Sequence, residues 1–143
     1  MKKYLVHILV LVIVFSFTSC GSDDDVQPAS QDDIVGVWIL KSVENQGFDV
    51  PTMDCRAQQT ITFNSDLTGG ERFPENQMAP CDFSTTSYTW IRNGNLVTQS
   101  VAGEGTFVNE IILVNATQLQ IVVTERNGMT VPQNQQEIFK YEK

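Results

Sequence analysis

The feature that most restricts the fold of this chain is a recurring alternation of apolar and polar residues with a period of two. The clearest segment is Gln118–Thr124, in which Leu119, Ile121 and Val123 share one face. Successive side chains of a β-strand point to opposite faces of the sheet, so this alternation predicts half-buried strands. After residue 36 no long segment has the 3.6-residue period of an amphipathic helix. The domain is therefore predicted to be all-β.

Eight segments carry the alternation or a related apolar pattern. They are Val37–Glu44, Gln59–Phe63, Thr68–Phe73, Ser87–Ile91, Asn95–Ser100, Thr106–Val114, Gln118–Thr124 and Glu137–Glu142. Asn93-Gly94 and Asn127-Gly128 predict hairpin turns, because both residue types tolerate positive φ. Consecutive hairpins favour an eight-stranded antiparallel up-and-down barrel, with room for packed side chains or one small ligand. Met129–Gln135 fits either a loop or the start of the last strand.

A short helical turn is predicted before the first strand. Ser30-Gln31-Asp32-Asp33 matches a helix N-cap pattern, which predicts one short helical turn over Gln31–Val35, ending at Gly36. Apolar residues on both faces at the start of Val37–Glu44 predict a strand that is buried twice, in the barrel and beneath this helix.

Two longer segments, Phe48–Arg56 and Glu75–Phe83, are predicted to be loops, and each contains a proline and a cysteine. The Gly69-Gly70 pair is predicted to weaken or bulge its strand, because glycine has no side chain to pack.

The first residues indicate export. Lys2 and Lys3 precede the apolar stretch Tyr4–Phe17, which is shorter than the ~20 residues that span a bilayer and is typical of a secretory signal. A retained membrane helix is the alternative. Two small residues then precede Cys20, whose thiol could carry a diacylglycerol. We therefore expect a signal peptide over 1–19, a lipidated acidic tether over 20–32 and one domain over 33–143.

The charge balance excludes one class of partner. Two of the nine Lys and Arg residues lie in the signal and all seventeen acidic residues follow it, so the mature chain would carry a net charge of −10. Nucleic-acid binding depends on basic side chains that neutralise phosphates, so we expect no nucleic-acid partner. The acidic run Asp23–Asp25 also keeps the tether solvated, and a flexible tail of this kind supplies no fixed calcium cage.

The histidine and cysteine inventory restricts the chemistry. The only histidine, His7, lies in the signal, which removes Ser-His-Asp and Cys-His catalysis and the commonest zinc ligand from the mature chain. We predict no enzymatic activity, no cofactor and no metal site. With Cys20 lipidated, Cys55 and Cys81 remain in an oxidising compartment and are predicted to form a disulfide; two separate buried thiols are the alternative.

Several motifs resemble those of the lipocalin-like domains of Gram-negative surface lipoproteins. They are Ile34–Trp38 (IVGVW), Thr62–Gly69 (TFNSDLTG), and Tyr88-Thr89-Trp90 ahead of Asn93–Leu96. Thr18-Ser19-Cys20 resembles a lipobox and Ser22–Asp25 an acidic surface-export signal. Leu67 stands where the family usually has glycine. The resemblance implies an eight-stranded barrel with a short helix at its closed end. It also implies a lipid anchor in the outer membrane that faces the cell exterior, with a periplasm-facing anchor as the alternative.

Two functions follow from this fold. In the first, the barrel binds a small apolar or amphipathic molecule through inward-facing residues: Trp38, Leu40, Phe63, Tyr88, Trp90, Leu119 and Ile121. In the alternative, the same side chains fill the barrel, and the protein is a non-enzymatic accessory protein of the cell surface that binds a protein or glycan through its loops.

Overall fold

The computed structural model describes residues 31–143, in which ten strands and three short helical segments are present. The strands are β1 (Gly36–Asn45), β2 (Phe48–Pro51), β3 (Thr60–Phe63), β4 (Thr68–Pro74), β5 (Phe83–Asn93), β6 (Leu96–Val101), β7 (Gly105–Val114), β8 (Gln118–Arg126), β9 (Met129–Thr130) and β10 (Glu137–Glu142). The helical segments are α1 (Gln31–Ile34) and two 3₁₀ turns, η1 (Arg56–Gln58) and η2 (Gln133–Gln135). The predicted signal peptide, Cys20 and nearly all of the tether lie outside the described residues.

Eight of these strands close into an antiparallel barrel in the order β1-β3-β4-β5-β6-β7-β8-β10. Closure is complete because β10 pairs with β1 on one side and with β8 on the other. The two remaining strands lie outside this ring: β2 extends β1, and β9 forms a short hairpin with β8. The predicted eight-stranded antiparallel barrel is confirmed.

Two predicted connections contain strands. The prediction of a loop over Phe48–Arg56 was wrong for its first four residues, which form β2 against the second half of β1. The reason is a tight turn in which Gln46 and Gly47 have φ of 51° and 84°, the sign pattern of a hairpin turn. The ambiguous segment Met129–Gln135 forms the two-residue strand β9 followed by η2.

In two of the hairpin turns, asparagine or glycine occupies the positions at which φ is positive. Asn127 and Gly128 have φ of 53° and 76°, as predicted. In the β5–β6 hairpin Asn93 pairs with Leu96, so the loop residues are Gly94 and Asn95 rather than Asn93 and Gly94. Gly94 there has a positive φ of 60° at the first loop position, where a type II′ turn needs glycine.

β1 is buried on one face only, which corrects the prediction of a strand buried on both. Trp38 and Leu40 face the core, whereas Val37 is 54% exposed. Sequence parity would place Val43 on the outer face, but a bulge between Leu40 and Ser42 shifts the register and turns Val43 into the core. An extra residue in one strand of a pair reverses the facing of every residue beyond it.

The end of the barrel nearest α1 is closed by packed side chains. Ile34 of α1 is fully buried over the barrel end, and its carbonyl accepts a 2.7 Å hydrogen bond from the indole Nε1 of Trp38. The rings of Phe63 and Trp90 meet edge to face at 5.4 Å. The Trp90 indole N–H donates to the Thr68 carbonyl at 2.9 Å, so both buried tryptophans have a hydrogen-bond acceptor.

Gly69 and Gly70 do not bulge their strand, so of the two predicted alternatives the bulge was wrong. Gly69 pairs with Tyr88 in regular register, and a Cβ on Gly69 would lie 2.4 Å from both the Tyr88 ring and the Thr62 carbonyl oxygen. The missing side chain therefore makes room for the Tyr88 ring, whose hydroxyl donates to the Thr62 carbonyl at 2.7 Å. This is a close-approach role for glycine within a strand.

We expect Gly69→Ala to lower the free energy of unfolding by about 1–3 kcal/mol, the usual range for overpacking. Gly70→Ala is the matched control, because the nearest atom to a Cβ there, the Thr86 carbonyl oxygen, lies at 3.3 Å. Urea unfolding of both variants measures the difference. Equal losses at the two positions would show that the Tyr88 ring does not restrict Gly69.

Among residues 31–143, no helix is both long enough and apolar enough to cross a bilayer.

Candidate functional site

A cavity of about 300 Å³ lies inside the barrel, toward the end opposite α1. Its position follows from the strand register. Gly36 at the start of β1 pairs with Phe63 at the end of β3, so Ile61, which lines the cavity, lies farther from α1 than Phe63 does. The volume is at the lower end of the range of about 300–1,000 Å³ that is common for small-molecule sites.

Part of the cavity wall is apolar, with three half-buried phenylalanines on three different strands. The aliphatic and phenylalanine lining residues are Ile61, Phe73, Val101, Phe107, Ile121, Val123 and Phe139. Glu104 and Arg126 also line the cavity, and both are exposed, so they contribute one charge of each sign at its mouth. The wall near the mouth is thus suited to an apolar group and has no net charge.

A layer of polar side chains separates this apolar wall from the packed end of the barrel. Gln59 donates from Nε2 to Glu71 Oε1 at 2.8 Å, and Asn109 donates from Nδ2 to Gln99 Oε1 at 2.8 Å. The Gln99 side chain also hydrogen-bonds to Tyr88. Gln59, Gln99 and Asn109 are buried, so these hydrogen bonds satisfy groups that water could not reach freely.

The acidic residue of this layer is Glu71, which projects inward between Gly69 and Phe73 on β4. Desolvation by burial raises the pKa of the Glu71 carboxyl, and the hydrogen bond from Gln59 opposes this rise only in part. Within residues 31–143 Glu71 forms no ion pair, whereas Lys140 pairs with Glu44 and Asp49 on the outside of the barrel.

Two tyrosines complete the layer and remain neutral. Burial raises the pKa of Tyr88 well above its ordinary value, and the nearby Glu71 charge adds to the effect. Burial and then the Glu71 charge raise the pKa of Tyr141 in the same direction. Both phenols are therefore hydroxyl groups at physiological pH, with oxygens that can accept a hydrogen bond.

Comparison with known proteins places this fold in a family. The model of the lipocalin-like domain family matches residues 34–121, which is more than half of the chain. The chain belongs to the lipocalin-like domain family. No curated protein sequence matches it significantly.

Solved structures agree with this family at the level of the fold. The lipocalin-like protein from Bacteroides uniformis has a TM-score of 0.56 and 11% identity, over 78% of this chain and 98% of that one. An uncharacterized protein from Bacteroides eggerthii has a TM-score of 0.53 and 7% identity, over 77% of this chain and 98% of that one. A bovine odorant binding protein complexed with its natural ligand is more distant, with a TM-score of 0.44 and 15% identity over 80% of this chain and 73% of that one.

The seven residues predicted to contact a ligand lie in two places in this lipocalin-like barrel. Tyr88 and Ile121 line the cavity. The other five, Trp38, Leu40, Phe63, Trp90 and Leu119, are fully buried in the packed end and do not line it. Those five side chains pack the closed end of the barrel, and the ligand role predicted for them stays a prediction.

Sequence reasoning missed the polar members of the site, Glu71, Gln99 and Asn109. The alternation of inward and outward side chains along their strands could have identified these residues as inward-facing. Gln99 alternates inward with Val97 and Val101, and Asn109 alternates with Phe107 and Ile111. A polar residue at an inward position of an otherwise apolar face is more informative than the apolar residues around it.

The disulfide between Cys55 and Cys81 is present, which confirms that prediction. It joins the segment before η1 to the loop between β4 and β5, at the same end of the barrel as the cavity. Among residues 31–143 there is no group of three His, Cys, Asp or Glu side chains that could hold a metal ion.

The buried carboxyl gives a test by pH. Because its pKa is raised on folding, native Glu71 holds a proton that the unfolded chain has already lost, in the window above the ordinary value of 4.5. Stability therefore falls as pH rises through that window, since the native state binds more protons there. Glu71→Gln removes this contribution, so we expect the variant to gain stability relative to wild type as pH rises, until the difference levels off.

Urea unfolding at several pH values measures the difference between the two proteins. Glu110→Gln is the control, because Glu110 is exposed on β7 and carries the same charge. A Glu71→Gln difference curve that was flat with pH, like that expected for Glu110→Gln, would contradict the assignment.

Proposed function

We propose that this lipocalin-like barrel is a non-enzymatic binding module for a small amphipathic molecule. The observation that carries the proposal is the cavity of about 300 Å³, with an apolar wall near its mouth and a hydrogen-bonding layer beneath it. Binding sites for small molecules combine these two features, because apolar contacts supply affinity and a few placed polar groups fix orientation.

The ligand would enter at the end opposite α1. An apolar part would pack against Phe73, Phe107 and Phe139, while a polar part would reach the layer that contains Tyr88. Ile121 would contact the ligand from β8. The packed end supports this arrangement as a rigid floor, since Trp38, Phe63 and Trp90 are almost completely buried.

A neutral fluorescent probe tests the cavity directly. N-phenyl-1-naphthylamine is expected to bind wild type with increased emission, and Val123→Trp is expected to weaken binding by about tenfold or more because the larger ring occupies the cavity. That loss corresponds to 1.4 kcal/mol or more. Ile91→Trp is the matched control, since Ile91 is 62% exposed on the outer face of β5. Equal binding by both variants, with wild-type unfolding midpoints, would exclude the cavity as the site.

The proposal also includes location. We propose that the chain is lipidated on Cys20 and anchored in the outer membrane, facing the cell exterior, on the support of the sequence pattern around Cys20 and Asp23–Asp25. Labelled palmitate is expected to enter wild type but not Cys20→Ala, and only the wild type is expected to fractionate with membranes. Surface exposure is tested by adding protease to intact cells, with an Asp23–Asp25 to Asn variant as the comparison.

A second candidate function, recognition of a protein partner, is favoured by the loops that the disulfide joins. Val50, Met53 and Met78 are exposed by 59% or more and lie around a shallow groove of about 250 Å³. Clusters of exposed apolar side chains, methionine included, are typical of protein contacts. Cross-linking on whole cells, with wild type and a Val50→Asp/Met78→Asp variant, tests it; a partner captured equally by both would argue against these loops.

A further inference from the structure

The cavity has a chemical preference of its own that follows from the acid in its wall. Glu71 lies inside the barrel, next to the apolar wall formed by Phe73 and its neighbours. A carboxylate in such a place loses much of its hydration, and this loss must be offset by hydrogen bonds or by an opposite charge.

The protein itself offsets only part of this loss. Gln59 donates one hydrogen bond to Oε1 of Glu71, and within residues 31–143 no hydrogen bond reaches its second oxygen. The same part of the chain supplies no cation: Arg126 also lines the cavity, yet it forms no salt bridge with Glu71. The acid, which is part of the cavity wall, therefore retains one oxygen without a hydrogen-bond donor from this part of the chain.

The groups beside Glu71 also act as acceptors. The Tyr88 hydroxyl donates its proton to the Thr62 carbonyl and its oxygen accepts from the Gln99 side chain, so one lone pair of that oxygen remains for a ligand. Tyr141 lines the same cavity and is close enough for the Glu71 charge to act on it. A group with several N–H donors and a positive charge matches this set, whereas a carboxylate or phosphate would meet like charge.

We propose that the barrel selects amphipathic amines, with the ammonium group paired to Glu71 and hydrogen-bonded in the tyrosine layer, and the apolar part against the phenylalanine wall. This inference rests on the proposed function and goes beyond it by naming the ligand class and the residue that recognises it. The net negative charge of the chain also favours the approach of a cation.

Three eight-carbon molecules with different head groups test the inference: octylamine, octanol and octanoate. Isothermal titration calorimetry at neutral pH is expected to show octylamine binding wild type about tenfold or more tightly than octanol, as for one desolvated charge pair, and octanoate binding most weakly. Glu71→Gln is expected to remove the preference for the amine, so that octylamine and octanol bind this variant with affinities within about threefold of each other. Glu110→Gln removes the same charge from the outer face and is expected to keep the preference.

The outcomes separate the two proposals. If octylamine and octanol bind wild type equally, if octanoate binds most tightly, or if Glu71→Gln retains the amine preference, the inference is wrong and the barrel remains a binding module. If none of the three molecules binds and N-phenyl-1-naphthylamine also fails to bind, both proposals are wrong. The comparison of head groups on wild type decides the matter even if Glu71→Gln does not fold.

Discussion

Replacing Trp90 with alanine is expected to lower the free energy of unfolding by about 3–5 kcal/mol, the range for removing a large buried aromatic side chain. Trp90 is 1% exposed, its ring packs edge to face on Phe63 at 5.4 Å, and its indole donates to the Thr68 carbonyl. The substitution leaves a void at the packed end and removes one of the two hydrogen bonds that the Thr68 carbonyl accepts, the other coming from the Asn64 N–H at 2.8 Å. Urea denaturation measures the loss.

The same strand supplies the control for this substitution. Ile91 follows Trp90 directly but is 62% exposed, so Ile91→Ala is expected to change stability by no more than about 0.5 kcal/mol. Trp90→Phe keeps a ring and loses the indole donor, so its loss should lie between the two. Equal losses for Trp90→Ala and Ile91→Ala would mean that β5 is not oriented as described.

Removing the disulfide is expected to have an effect of similar size. Cys55 and Cys81 are separated by 26 residues, and closing a loop of this length stabilises a folded chain by about 3.5 kcal/mol in the chain-entropy model. Cys55→Ala, Cys81→Ala and the double variant should therefore lose nearly the same stability, because each one opens the same loop. Reduction of wild type should produce this loss as well.

The double variant is the control for reduction, since a reducing agent should leave its unfolding curve unchanged. Single variants whose losses add up in the double variant would show that the two cysteines act separately. A free-thiol assay on denatured, unreduced wild type provides an independent reading, with no free thiol expected from Cys55 or Cys81.

The fold was predictable because local and long-range signals agree. The alternation in Gln118–Thr124 gives the facing of β8, and Asn127-Gly128 gives the turn that follows it. The predicted facing of side chains was wrong where one extra residue in a strand interrupts the alternation of its two faces. Strict alternation counted from Trp38 places Val43 on the outer face. The bulge within β1 brings Val43 inside, and this bulge depends on how β10 pairs with β1.

The site was harder to predict because its apolar residues resemble those of the core. Leu119 and Ile121 have the same facing on β8, yet only Ile121 lines the cavity, since depth along the barrel axis separates them. The position of a residue along the barrel axis depends on the register of all eight strands. A single sequence does not reveal that register. The inward Glu71 carried the more specific signal, because an acid on an inward face has few structural uses.

The pairing of β10 with both β1 and β8 has a consequence for the order in which the protein can be completed. Residues 137–142 are the last of the described strands to be synthesised, and until they arrive β1 and β8 each retain an edge with open backbone donors and acceptors. Such edges pair readily with other chains. A chain that is still being synthesised is thus exposed to aggregation until β10 has been made and has paired. A chaperone that prevents this aggregation would have to stay bound until the barrel closes.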